Sequence, residues 1–441
     1  MPGPQLTTFQ SDPSLPSRVD VVVIGGGIIG VSTALELAER GVSVLLCEKG
    51  QIGGEQSSRN WGWVRLSMRD LREIPLMIAA HRIWVGLDAR LGRATGYTPS
   101  GILYAAQDQR TYDKRAAWAA RVKDFDQPAQ MLSGAALDAL LPGHHLRMLG
   151  ALHTPLDGRA EPQWAAPAIA EGARARCARI VTGCAVRALD LQAGRVAGVI
   201  TERARVACEA VVLAGGAWSR LFAGNAGINL PQLQTLSTVM RTTPVSGAPE
   251  TALWTNGFAL RLRADGGYTI ASGNDNLVDL VPDSLRLGRQ FFPAYLSERT
   301  GLRFRLSAAS WQALRQPRRW SAEDRTVFED VRILDPEPSQ RALRRSWAAA
   351  RAGFPVLQGA EVVQSWAGMI DVTPDAIPVI SGVGAVPGLT IATGFSGHGF
   401  GIGPAAGHLA ADLVTGATPL VDPQPFRLSR FSDGSKIRLN L

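Results

Sequence analysis

The chain has 441 residues, 46% of them hydrophobic and 19% charged, which excludes a disordered protein and gives room for about two to three domains. Its 46 basic side chains outnumber 38 acidic ones, and only Lys49, Lys114, Lys123 and Lys436 are lysines, so the excess is arginine; twelve arginines against six acids fall in residues 299–351. Four scattered cysteines without a C-x-x-C pair, no run of the ~20 apolar residues a bilayer span needs, and no signal-peptide pattern point to a reduced, cytoplasmic protein without a metal site or transmembrane segment.

Residues 1–18 read as a loose polar arm. Residues 19–24 are almost all β-branched, as in a strand buried on both faces. Gly25-Gly-Gly-Ile-Ile-Gly30 follows at once, then a helical apolar repeat ended by Gly41, then a second strand over 42–47 that closes at Glu48. In that strand–turn–helix–strand setting Gly25-x-Gly27-x-x-Gly30 has a mechanism. Gly25 permits the tight turn, Gly27 lets backbone approach a pyrophosphate, Gly30 lets helix and strand pack closely, and Glu48 can accept from ribose hydroxyls. A nicotinamide dehydrogenase would repeat the unit; here irregular Gly/Ser/Arg-rich sequence follows instead, suited to a long extended cofactor that periodicity alone does not identify.

Residues 76–150 read as largely helical, over 77–91 and 110–125. Strands return at Arg179–Val181, Arg195–Thr201 and Ala210–Leu213. Residues 234–273 alternate like antiparallel strands, with a hairpin of 258–263 and Tyr268–Ala271 around Ala264-Asp-Gly-Gly267. After the arginine-rich stretch, Ser339 caps a helix over 340–352, a strand occupies 389–392, and a Gly-rich loop leads into a helix through Val414 with Pro404 near its first turn.

Four separated motifs carry a resemblance: residues 21–50, Ala214-Gly-Gly-Ala-Trp-Ser219, Trp366-Ala-Gly-Met-Ile-Asp-Val-Thr-Pro-Asp375 and Gly394-Phe-Ser-Gly-His-Gly-Phe400. In this order they resemble the D-amino acid oxidase family of FAD enzymes. Residues 48–57, 211–222 and 421–431 are most similar to bacterial L-amino acid deaminases. The resemblance implies an α/β fold with three parts. A three-layer, Rossmann-like FAD domain is assembled from 19–75, 150–233 and 356–441. A substrate domain on a mostly antiparallel sheet uses 76–149 and 234–289, and 290–355 forms an extra α+β subdomain. It also implies FAD held non-covalently, because Gly368 and Met369 stand where sarcosine-oxidase relatives carry the attaching cysteine.

The FAD contacts so implied begin with Gly25, Gly27, Ile28, Ile29 and Gly30, then Glu48 and Lys49. Ser57, Ser58, Arg59 and Asn60 meet the pyrophosphate and ring edge, Gln56, Trp61 and Gly62 belong to the same cofactor-binding stretch, with Trp61 also facing the substrate cavity, and Val186 meets adenine. Ala214, Gly215, Trp218, Gly368 and Asp371 belong to the matching motifs. Gly397, Gly399, Phe400 and Gly401 fall beside the isoalloxazine, where helix N–H groups favour negative charge. Trp63, Arg65 and Met68 line the substrate cavity. Arg261 matches the deaminases' carboxylate-binding arginine, whose fork meets both oxygens. His398 is either a base or a packed hydrogen-bond donor; a base is not required, since the amine proton can go to water.

The implied reaction is oxidative deamination of an L-amino acid to a 2-oxo acid and ammonia, with hydride passing from Cα to flavin N5 and oxygen or a respiratory acceptor reoxidising the flavin. The Gly-His-Gly motif supports an alternative, oxidation of a secondary or N-methyl amino acid as in sarcosine- or proline-type enzymes. A D-amino acid dehydrogenase and an electron-transfer flavin subunit are further alternatives. The basic stretch interleaves Phe304, Trp311, Trp320, Phe328 and Trp347 with arginine. It reads either as a docking surface for an anionic membrane or an electron-removing partner, or, the favoured reading, as a solvated subdomain with its own aromatic core. A nucleic-acid partner is not expected, and a homo-oligomer is left open.

Overall fold

In the computed structural model, which describes residues 3–299 and 301–439, the β-branched run becomes the strand Val21–Ile24 inside a six-stranded sheet. The first two residues of the expected arm, the last two of the chain and residue 300 of the arginine-rich stretch lie outside the described residues. Val44–Cys47 and Ala210–Leu213 pair with the strand in parallel on its two sides. Arg179–Val181 and Leu389–Thr393 extend the parallel sheet, and Val379–Gly382 adds an antiparallel edge.

Side-chain alternation then makes the layers. Val21 and Val23 share a core with the helices Ile28–Glu39, Pro162–Ala175 and Gly399–Thr415. Val22 and Ile24 face Val186, Val196, Val199 and Val206 of a three-stranded antiparallel sheet. This is the expected three-layer α/β architecture. Small residues bring the last helix against the first: a Cβ at Gly403 would lie 3.0 Å from the Ile28 side chain, and one at Gly407 would strike Ser32. Both helices therefore start at the same edge of the sheet.

The second sheet is mixed and ten-stranded. Its spine is Leu233–Thr242, paired antiparallel with Val362–Val372 along nearly its whole length. The hairpin of Ala259–Leu262 and Tyr268–Ala271 forms as expected. Residues 76–150 differ from the helical expectation. The helices Ile74–Leu91 and Gln109–Val122 are present, but Ile102–Ala106, Gln130–Leu132 and Gly150–Thr154 are strands of this sheet. Ile102–Ala106 is buried at all five positions, so it shows no two-residue polar alternation for a reader to detect.

Two surface expectations are corrected. The arm is tied down: Thr7 N–H donates to the Gln163 carbonyl, Asp12 exchanges bonds with Ile180, and Arg18 bridges to Ala207. Among the described residues, the large aromatics of the arginine-rich stretch do not form one separate core. Trp320 and Phe328 pack with Phe222 beside the six-stranded sheet, and Trp347 packs against the cluster of Phe258 and Phe354, while Phe304 and Trp311 are exposed. Ion pairs of Arg187 with Glu329 and of Arg332 with Glu202 fasten this segment to the three-stranded sheet.

Candidate functional site

Two cavities, about 790 and 1430 Å³ with their mouths, share Gly27, Gln56, Ser57, Ala214 and Gly216 and so form one cleft. The cleft follows the carboxyl ends of the parallel strands, at Ile24, Cys47, Leu213 and Thr393, where open α/β sheets bind ligands.

At one end, Gly25 has φ +110° and donates to the Cys47 carbonyl at 2.9 Å; a Cβ there would collide with the Ala214 carbonyl. The helix Ile28–Glu39 starts at Gly27 without a capping side chain of its own, and Ile28 N–H is met by Ser57 Oγ at 2.8 Å. The Glu48 carboxylate accepts from Gly26 N–H at 2.6 Å and Gly50 N–H at 2.7 Å, bracing the glycine turn at the cavity wall. Burial pushes its pKa up against the pull of Lys49 and these N–H groups. Val186, Phe222 and Phe328 supply apolar walls, and Lys49 lies over the Trp218 ring at 4.7 Å. Lys49 also donates to the Val331 and Arg332 carbonyls, so the arginine-rich segment closes this end.

At the other end, Ser396 (φ +50°) and Gly397 (φ +80°) turn the chain into the helix Gly399–Thr415, whose N-terminus has no side-chain cap. Asp371 holds that turn. Its carboxylate accepts from Gly394 N–H at 2.7 Å, Gln232 Nε2 at 3.1 Å and Thr393 Oγ1 at 3.2 Å, and burial raises its pKa. His398 faces the cavity with Nδ1 unpartnered and 3.8 Å from Glu73. Burial, reinforced by the charges of Arg65 and Arg69, holds its pKa well below the ordinary imidazole range, so it is neutral at neutral pH. Arg69 is paired with Glu73 and donates to the His398 carbonyl. Trp61 and Trp63 meet edge to face at 5.1 Å, and the buried Trp63 Nε1 has no partner. Arg65 donates to the Ser67 carbonyl and lies 5.9 Å from the Tyr104 ring.

Of the residues expected here, Gly25, Gly27, Ile28, Ile29, Glu48, Lys49, Gln56, Ser57, Arg59, Asn60, Trp61, Trp63, Arg65, Val186, Ala214, Gly215, Trp218, Gly368, Asp371, Gly397, His398, Gly399 and Phe400 line the cleft. Arg59 and Asn60, like Glu48 and Asp371, have polar groups committed to protein. Arg59 bonds Asp335 and the Ala367 carbonyl, and Asn60 Oδ1 accepts from Gly62 N–H.

Six do not line it. Gly30 packs under Gly25, Gly401 against Val64 and Gly62 against Arg261. Ser58 bonds the Glu55 carbonyl, and Met68 packs into the core. The largest correction is Arg261. It is 1% exposed, with Nη1 donating to Glu161 Oε1 at 2.8 Å and the Ala160 carbonyl, and Nη2 donating to Glu161 Oε2 and Thr269 Oγ1. That fork already holds a carboxylate, and it belongs to the protein. Sequence reading missed Arg69, Ser237, Ser272 and Asn276, while Ser396, in the loop expected beside the ring, lines the cleft. Ser272-Gly-Asn-Asp-Asn276 was visible as a polar turn after a strand; Ser237 inside a strand gives no signal.

The chemistry of the cleft fits FAD. A glycine turn that a Cβ would fill meets one helix start whose N-cap residue supplies no capping side chain, a second start of that kind lies at the far end, and His398 Nδ1 and Trp63 Nε1 have no partner there among the described residues. Gly25 to Ser57 would hold the pyrophosphate, and the 396–399 turn the ring.

Comparison with known proteins agrees. The DAO model, described as FAD dependent oxidoreductase, matches residues 20–413. The L-amino acid deaminase of Proteus myxofaciens, solved in complex with anthranilate, is similar with a TM-score of 0.93 and 33% identity, over 98% of this chain and 97% of that one. Glycine oxidase of Pseudomonas putida is 28% identical over 92% of this chain and 97% of its own length. Sarcosine oxidase subunit beta of Rhodobacter capsulatus is 25% identical over 97% and 92%.

Proposed function

The chain belongs to the DAO family of FAD-dependent oxidoreductases, and on that premise we propose that it oxidatively deaminates a primary L-amino acid to a 2-oxo acid and ammonia. The observation that carries this is Arg65. It is a guanidinium in the cavity wall with one hydrogen bond to a carbonyl and no ion pair among the described residues, beside His398 and the last helix's N-terminus. FAD, when bound, supplies the two-electron acceptor for the hydride that leaves Cα. Arg65 takes the α-carboxylate in a forked pair. Trp61 and Trp63 form an apolar wall against the side chain. Neutral His398 offers Nδ1 to the amine and orients it, while the amine's proton leaves to water. The turn at Ser396 and Gly397 presents helix N–H groups where negative charge grows. In this reading the parallel-sheet half binds FAD and the mixed sheet forms the substrate wall.

Anaerobic mixing of the yellow holoprotein with single L-, D- and N-methyl amino acids, following the flavin band, tests the proposal. Bleaching by primary L-amino acids with release of ammonia is the expected result. Bleaching only by N-methyl or cyclic amines, the chemistry of the sarcosine oxidase relative, replaces it with the second reading. Bleaching by D-amino acids alone, or by none, overturns it.

We also propose that the surface formed by residues 285–299 and 301–314 rests on an anionic bilayer. Leu285, Phe292, Leu306, Trp311 and Leu314 are exposed there, and Arg289 and Arg315 form no ion pair among the described residues. Among the described residues no helix is long and apolar enough to cross a membrane, so contact would be interfacial. Co-sedimentation with phosphatidylglycerol vesicles is expected, weakened by salt and by Trp311→Ser; equal sedimentation with neutral vesicles, or none, excludes it.

A further inference from the structure

Buried arginines in this protein are held by carboxylates: Arg69 by Glu73, Arg261 by Glu161 and Arg430 by Asp375. Arg115, on the helix Gln109–Val122, is an exception. It is 4% exposed, its Nη1 has no partner, and its guanidinium makes no hydrogen bond or ion pair among the described residues. Asp108 attracts it through space without contact. Burial lowers its pKa to about 10, which leaves it protonated at neutral pH. Burying a cation without a hydrogen-bonded counter-charge is costly, so an anion brought near Arg115 would be stabilised.

Its surroundings place it behind the substrate wall. Arg115 lies 5.9 Å from the Tyr104 ring and 5.3 Å from the Trp254 ring, and those rings are stacked at 5.6 Å. Tyr104 also meets Trp63, and Arg65 lies 5.9 Å from the same Tyr104 ring. Trp254 Nε1 donates to the carbonyl of Gly273, which lines the cavity. The helix of Arg115 is anchored at the cavity too, since Trp118 Nε1 donates to the Arg69 carbonyl at 2.8 Å. Two guanidiniums without carboxylate partners among the described residues therefore share the Tyr104 ring, Arg65 in the cavity wall and Arg115 in the layer behind it.

We propose that the substrate is an acidic L-amino acid, its α-carboxylate held by Arg65 and its side-chain carboxylate drawn toward the positive charge of Arg115 behind the Tyr104 wall. The inference rests on the deaminase reading and adds the substrate class. The reaction balances as before: the Cα–H bond breaks with hydride passing to FAD, the amine gives up a proton and becomes an imine, and water releases ammonia and leaves a 2-oxo dicarboxylic acid. The acceptor that reoxidises FAD is the one that serves any amino acid.

Two measurements on the holoenzyme test it. Titration with succinate and glutarate, which have two carboxylates and no amine, is expected to perturb the flavin spectrum at concentrations at least tenfold lower than propionate or butyrate. In anaerobic reduction, L-aspartate or L-glutamate is expected to exceed L-leucine and L-phenylalanine in rate constant over Kd. Arg115→Gln is expected to lower that acidic-to-neutral ratio ~30-fold or more, with Arg115→Lys in between. The ratio separates recognition from a structural brace, which would affect both classes alike. If Arg115→Gln fails to fold, the dicarboxylate titration still decides. Reduction by neutral L-amino acids with no preference for dicarboxylates overturns this inference and leaves the deaminase reading standing. Reduction by no primary L-amino acid overturns both.

Discussion

Arg65→Gln is expected to lower kcat/KM for the best amino acid by ~10²–10³-fold, mainly through KM, with FAD content per chain unchanged. A substrate carboxylate needs donors that are not already spent. Arg65 has spent one N–H on the Ser67 carbonyl and faces the cavity. Arg261 has spent both terminal nitrogens on Glu161, Ala160 and Thr269, and Gly62 presses on its face so closely that a Cβ there would come 2.8 Å from the guanidinium carbon. The Arg261–Glu161 pair is also neutral as a unit, so it exerts little pull on an anion. Losing a forked, partly desolvated pair removes about 3–4 kcal/mol, which sets the expected range. Arg65→Lys keeps the charge without the fork and is expected to fall between. Stopped-flow flavin reduction gives Kd and the limiting rate separately. An unchanged Kd in Arg65→Gln would remove Arg65 from the carboxylate site.

The comparison of these two arginines also shows what a sequence can and cannot disclose. The nucleotide-binding half was legible because each step in it is local: a both-faces-buried strand, a turn needing φ +110° at Gly25, a helix starting at once, an acid closing the next strand. The wall around the substrate was not, because its electrostatics depend on distant pairings. Glu161, which cancels Arg261, lies 100 positions earlier in the chain. Arg65 and Arg115 are marked only by having no such partner. Phe328 reaches the nucleotide end from a stretch that reads as a separate subdomain, carried there by Glu329 on Arg187. Periodicity reports which face of an element is buried; it does not report what the buried face meets.

That same pairing gives the largest effect on stability. Glu161→Gln is expected to destabilise the folded holoprotein by about 3–5 kcal/mol, because it leaves a fully buried guanidinium without its counter-charge. Arg261→Met is expected to cost a similar amount by stranding Glu161. Combined as Glu161→Leu with Arg261→Met, the loss should be much smaller than the sum, since hydrophobic replacement of a whole buried pair is often near neutral. The pH dependence follows from Glu161. Burial alone would raise its pKa, but the charge and hydrogen bonds of Arg261 outweigh burial and hold it below the ordinary carboxylate value. A group whose folded pKa is depressed adds stability that is present in full above its unfolded pKa of about 4.3 and is lost as pH falls through the folded value. Wild type should therefore lose stability more steeply than Glu161→Gln below about pH 4, and the two curves should run parallel above it. Urea denaturation across that window, followed by far-ultraviolet circular dichroism, measures both terms. The decisive comparison is with catalysis. If Arg261→Met folds with undiminished stability and instead raises KM, the pair opens to admit substrate, and the carboxylate site belongs to Arg261 rather than Arg65.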